Sequence, residues 1–186
     1  MCGIAGYFIA AGRAPETADI DAMTKVQRHR GPDGEGRYIS PDGRFQAAFV
    51  RLGIIDLETS AQPLFDKAAR RVLLGNGEIY NYIELRKSPS CRNYPFVTKG
   101  DMETVLALRS ARGAGYVDDL NGMYALALFD EVKNELELVR DRIGIKPLYW
   151  AKTRSGGIVF GSEVKALFAS GLIAPSINQI AVTSYL

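Results

Sequence analysis

The chain opens on an almost unbroken apolar run, Cys2 to Ala10 (CGIAGYFIA). This is the pattern of a strand buried on both faces, so the N-terminus is expected inside the fold. A turn region from Ala11 to Pro15 follows. Between Asp19 and Arg28, Ile20, Met23 and Val26 recur at helical spacing until the loop HRGPDGEG breaks the period. Gly36–Ile39 and Arg44–Arg51 predict a hairpin closed by Ser40-Pro41-Asp42-Gly43, in which Pro presets one φ and Gly accepts a positive one. Arg71–Leu74 predicts a short strand running into NGEIYNY, and Tyr80–Lys87 a helix that lasts until Pro89. Asp101–Arg112 sets Val105, Leu106 and Leu108 on one side, with Asp101 as candidate N-cap and Gly113 as the stop of an amphipathic helix.

MYALALFD, EVKN and ELELVRD predict a buried strand, a tight turn and a partner strand in which Glu135, Leu136, Glu137 and Leu138 alternate. A further strand pair, Leu148–Lys152 and Gly157–Gly161, flanks a turn containing Arg154, Ser155 and Gly156, and Glu163–Ala169 predicts a short helix ended by Gly171. Strands in runs with helices between the runs, and no βαβ alternation, predict an α+β fold of antiparallel sheets packed face to face with helices outside. Pro175–Leu186 starts a new helical pattern after this set is complete and is expected to be a linker and the beginning of something further.

Composition narrows the function classes. A length of 186 residues fits one domain able to bury roughly two-thirds of its unfolded surface. The 23 basic and 21 acidic residues are interspersed, so no basic stripe predicts a nucleic-acid partner. No apolar run approaches the roughly 18 residues of a membrane span, and nothing resembles a secretory leader. Two cysteines, Cys2 and Cys91, do not make a disulfide scaffold, and a cytoplasmic location is expected. One histidine, His29, and scattered carboxylates predict no metal site.

Chemistry concentrates at Cys2. Removal of Met1 would place a thiol and a free α-amine on one residue. Such an amine has an unperturbed pKa of roughly 7.7–8.0, close to working pH, so it can take the thiol proton and later protonate a departing amine without any histidine. A buried apolar role for Cys2 is the plainer alternative from position alone.

The segments MCGIAGYF, RHRGPDG, RLGIIDL, NGEIYNY, GDMETVLAL, NGMYALALFD, RDRIGIKPLYW and FGSEVKAL occur in this order. Together they resemble the N-terminal glutaminase domain of glutamine-hydrolysing asparagine synthetases, from Met1 to about Leu172. The resemblance implies a class II glutamine amidotransferase domain over 1–172. It also implies the N-terminal-nucleophile hydrolase architecture, a four-layer αββα sandwich with two antiparallel sheets. Residues 173–186 would then be a linker and the start of a synthetase domain.

On the same resemblance Cys2 attacks the side-chain amide of glutamine, and the Asn76 side chain with the Gly77 N–H forms the oxyanion hole. Asn-Gly between two strand-like segments is also a hairpin signal. Arg51 is similar to the residue that pairs with the substrate carboxylate, Glu78 and Asp101 to the partners of its ammonium, and Leu52, Gly53, Ile54 and Ile55 to the pocket wall. The loop residues His29, Arg30 and Asp33 receive no catalytic role, Arg140, Asp141 and Arg142 resemble a stretch that shapes the domain and its meeting with the synthetase half, and Cys91 has no motif around it. The family usually has Ser or Thr where this chain has Gly100, so a hydroxyl beside Asp101 is missing.

The SGGxDS-type pyrophosphate loop does not occur in these residues, so ATP and Mg are expected only in a C-terminal synthetase domain and no cofactor or metal in this one. Expected partners are glutamine, that synthetase domain and, for a homodimer, a second copy. The acceptor of ammonia is aspartate, a sugar acid or another carboxylate, and the alternative from a different class is a catalytically silent regulatory or scaffolding domain.

Overall fold

In the computed structural model, which describes residues 1–185, the apolar run at the N-terminus forms β1 (Gly3–Phe8), buried along its whole length. Its burial follows from its place in the middle of a five-stranded sheet ordered β2-β3-β1-β9-β8. The other members are β2 (Gly34–Ile39), β3 (Phe45–Arg51), β8 (Tyr149–Lys152) and β9 (Ile158–Gly161). A second sheet, ordered β4-β5-β6-β7, contains β4 (Leu64–Asp66), β5 (Arg71–Ile79), β6 (Gly122–Asp130) and β7 (Glu135–Arg140). Neighbouring strands are antiparallel throughout both sheets.

The two sheets pack face to face. Ile4, Phe8, Phe45, Phe49 and Phe160 of the first meet Val72, Leu74, Ala127 and Phe129 of the second, and the Phe45 and Phe129 rings stack at 4.5 Å. Removing these side chains from water supplies the main driving force, at about 1.5–3 kcal/mol for each fully buried large residue. Outside the first sheet lie α1 (Ile20–Lys25), capped by the Asp19 carboxylate on the Ala22 N–H, and α4 (Val164–Ala169). Outside the second lie α2 (Tyr82–Lys87) and α3 (Glu103–Arg112), with Val105, Leu106 and Leu108 against Leu73, Leu126 and Leu128. The layers are therefore helix, sheet, sheet, helix. The last element, α5 (Gln179–Tyr185), is exposed; Leu186, the final residue of the helical pattern expected over Pro175–Leu186, lies outside the described residues.

Two local expectations are corrected. Asn76 and Gly77 make no hairpin turn, because β5 continues through them, pairing Asn76 with Ala125 and Gly77 with Tyr124. Asp101 does not cap α3, which begins at Glu103; its carboxylate instead accepts the Ile79 N–H at 2.7 Å and ties the end of β5 to the helix entrance. Gly113 ends α3 as expected, with φ 60°. The three-residue β4 and the 3₁₀ turns Arg28–Arg30 and Gly113–Asp119 carry too short a period to be read from sequence.

Candidate active site

The strand ends converge on one cleft. Cys2 precedes central strand β1 and packs against the inter-sheet core, while its sulfur accepts the Leu52 N–H at 3.3 Å and donates to the Leu52 carbonyl at 3.5 Å. Burial pushes the thiol above its ordinary value; the Leu52 N–H and the chain's terminal ammonium pull it back, Glu78 raises it further, and Arg51 opposes that rise. A thiol held up in this way needs a base to become a nucleophile.

Behind Cys2 an arginine fixes the chain. Arg30 donates from Nε to the Cys2 carbonyl at 3.0 Å and from Nη1 to Glu163 at 3.0 Å. Burial disfavours ionisation of Glu163, but hydrogen bonds from Lys165, Arg30 and His29 hold its carboxyl down at about 2. Asp33, in the same loop, accepts the Gly53 N–H at 2.8 Å. The RHRGPDG loop thus holds both the segment carrying the thiol and the wall opposite it.

Along β5 the side chains alternate. Val72 and Leu74 point into the inter-sheet layer and Leu73 toward α3, so Asn76 continues the face against which Cys2 packs. Asn76 is 1% exposed, and its Nδ2 has no hydrogen-bond partner in the described residues. A buried amide donor left empty costs about 1–3 kcal/mol, so it marks a position where a ligand acceptor is expected. Gly77 follows, and a Cβ there would sit 2.0 Å from the Met123 carbonyl oxygen. Only glycine lets β5 and β6 approach this closely.

Cys2, Arg51, Leu52, Ile54, Ile55, Gly77, Glu78 and Asp101 all line the cleft. Gly53 and Asn76 do not form its wall: Gly53 turns to Asp33, and Asn76 is buried. Arg51 holds its own loop, donating to the Leu57 carbonyl at 2.9 Å, the Asp56 carbonyl at 2.6 Å and the Ser60 hydroxyl at 3.1 Å. Glu78 and Asp101 are both raised from the usual carboxylate range by burial; Asp101 adds to the rise at Glu78 while Lys146 opposes it, and backbone N–H bonds, Ile79 first, oppose it at Asp101. Two partly desolvated carboxylates opposite an arginine suit a zwitterion carrying an ammonium at one end and a carboxylate at the other.

Sequence reasoning missed Phe49, Ser60, Gln62, Gly75 and Met102, which also line the cleft. Gln62 acts as an extra ladder rung, accepting the Gly75 N–H at 2.6 Å and donating to the Gly75 carbonyl at 3.0 Å. Ser60 fills the space beside Gly100, where a Cβ would stand 2.8 Å from the Ser60 Cβ. Neither residue lies in a periodic segment, and no sequence signal could have found them. Among the described residues no group of His, Cys, Asp and Glu is arranged to hold a metal ion, and no helix is long and apolar enough to cross a membrane.

Comparison with known proteins decides the family. Residues 1–186 match the glutamine amidotransferase domain over their whole length. The chain belongs to the glutamine amidotransferase domain family. It is 41% identical over 172 residues to asparagine synthetase [glutamine-hydrolyzing] 2 of Bacillus subtilis, covering 91% of this chain and 22% of the relative. It is 38% identical over 187 residues to asparagine synthetase B [glutamine-hydrolyzing] of Escherichia coli, covering 100% of this chain and 33% of the relative. The amidotransferase domain therefore spans between about a fifth and a third of the length of these relatives. Its fold is shared with the glutamine phosphoribosylpyrophosphate amidotransferase of B. subtilis, at TM-score 0.72 and 18% identity over 91% of this chain and 44% of that one. The α+β sandwich of two antiparallel sheets is thus a fold this chain shares with that amidotransferase.

Proposed function

We propose that this amidotransferase domain hydrolyses glutamine to glutamate and ammonia with Cys2 as nucleophile, after removal of Met1. The observation that carries this is the empty, buried Nδ2 of Asn76 on the strand face that looks toward Cys2, beside the cleft-lining Gly77. In the first step the free α-amine of Cys2 takes the thiol proton and the sulfur bonds to the amide carbon. The carbonyl oxygen becomes an oxyanion facing the Asn76 Nδ2 and the Gly77 N–H; loss of one such donor typically costs about 2.7–4 kcal/mol in the barrier. Collapse breaks the carbon–nitrogen bond, the α-ammonium protonates the leaving group, and ammonia departs from a thioester. Water, deprotonated by the same amine, then attacks the thioester and returns free thiol and glutamate.

The head group of glutamine would lie with its ammonium on Glu78 and Asp101 and its carboxylate on Arg51. Because Arg51 also holds the Asp56 and Leu57 carbonyls, carboxylate binding is coupled to the position of the wall 52–60. In the parent protein we assign residues 173–186 to a linker and the start of a synthetase domain. There the ammonia would amidate a carboxylate activated by ATP and Mg, aspartate being the acceptor that the relatives' names favour. We place the protein in the cytoplasm.

Ammonia release from glutamine by the processed domain tests the reading. Cys2→Ala is expected to abolish it while the domain still folds, since the substitution removes the nucleophile and little volume. Turnover at the wild-type rate in this variant would overturn the mechanism, and a processed wild type that folds but releases no ammonia would favour a silent regulatory domain.

A further inference from the structure

Lys146 is 6% exposed, yet no carboxylate of the described residues lies within ion-pair distance of its ammonium. Among the described residues the one hydrogen-bond partner of its Nζ is the sulfur of Met1, at 3.6 Å. Lysine is almost never buried without an ionic partner, because desolvation of the charge costs far more than a thioether contact returns. The loop that carries Lys146 is nonetheless firmly built. The Asp141 carboxylate accepts the N–H groups of Tyr124, Ile145 and Lys146 at 3.2, 2.8 and 2.9 Å. Arg140 donates to the Lys146 carbonyl at 2.6 Å. Tyr124 is the residue of β6 that pairs with Gly77, so this anchoring fixes Lys146 relative to the strand pair that carries the proposed oxyanion donors.

The partner of this ammonium is therefore a side chain that maturation removes. We propose that Lys146 is a positioning residue for the general base: once Met1 is gone, its ammonium faces the liberated α-amine of Cys2 and keeps that amine neutral and able to accept the thiol proton. The inference rests on the reading of Cys2 given above. The sulfur that Lys146 contacts belongs to the residue bonded directly to the Cys2 nitrogen, so the ammonium lies on the side of Cys2 that removal of Met1 opens, and a like charge there disfavours protonation of the amine. The other charged groups facing Cys2 are Arg30, on its carbonyl, Arg51, and the carboxylates Glu78 and Asp101 across the cleft. The two carboxylates favour the protonated amine, and Lys146 together with Arg51 opposes them. Electrostatic communication between Lys146 and the cleft already appears at Glu78, whose carboxyl it pulls down.

The test is a 15N NMR titration of the Cys2 α-amine in processed protein, compared among wild type, Lys146→Met and Lys146→Arg, with the pH profile of kcat/KM beside it. Lys146→Met keeps the volume and removes the charge. It should raise the titration midpoint by about one pH unit and move the acid limb of kcat/KM up by the same amount. Lys146→Arg should restore both toward wild type. An unchanged midpoint in Lys146→Met, or a shift that Lys146→Arg does not reverse, would overturn the proposal, since a merely structural lysine would not move the amine in a charge-dependent way. The amine is read without glutamine, so failure of the glutaminase reading and failure of this one are distinguishable.

Discussion

The carboxylate of Asp101 serves the fold and the cleft at once, and the two uses are separable by one atom. Asp101→Asn retains an oxygen to accept the Ile79 N–H and loses the charge available to a substrate ammonium. Its loss should weaken glutamine binding by about 1.5–3 kcal/mol, read as a KM increase of roughly 10- to 150-fold. Burial raises the folded-state pKa of Asp101, so its ionisation weakens the unliganded fold as pH rises through that value. At neutral pH the Asn variant should accordingly unfold at a urea midpoint no lower than wild type. Glu163 behaves in the opposite sense. Its carboxyl is held at about 2, so its stabilising contribution is present above the ordinary carboxylate range and is lost as pH falls through about 4 toward 2. Glu163→Gln should cost about 1–3 kcal/mol near pH 7, and the difference from wild type should close on acidification, as followed by thermal unfolding.

At the scale of elements, β5 is the part of the fold that the chemistry constrains most. A Cβ at Gly77 meets the β6 backbone at 2.0 Å, so Gly77→Ala must push the strands apart. The expected cost is about 1–3 kcal/mol in urea unfolding, accompanied by loss of glutaminase activity as the N–H leaves its place. This strand also shows where the sequence is readable. β1 and β6 were legible because continuous apolar runs have few alternatives to strands buried on both faces, and α3 because Gly113 marks its end. The hairpin signal that Asn76-Gly77 carries beside its motif is not realised because that signal is local, whereas the ladder to β6 is contributed by residues more than forty positions away in sequence. Asp101 was misread as a cap for the same reason: the donor that competes for it, on Ile79, comes from another element. The residues lining the cleft that carried a motif were legible, but Ser60 and Gln62 arrive on an aperiodic loop whose path only tertiary packing fixes.

For the whole molecule, everything turns on the N-terminus. Met1 is 53% exposed and outside the cleft wall, so access for an aminopeptidase requires no unfolding of the sandwich. While Met1 remains, the nitrogen of Cys2 is an amide with no basic lone pair, and the thiol is left above its ordinary pKa without the proposed base. The decisive measurement is the glutaminase rate of two preparations whose N-terminal masses have been determined, one with Met1 removed and one with Met1 fully retained behind an upstream tag. The account predicts that the retained form is slower by at least about 100-fold, the usual worth of a positioned general base. Equal rates in a preparation whose mass proves Met1 fully retained would contradict it and show that the α-amine of Cys2 is not the base.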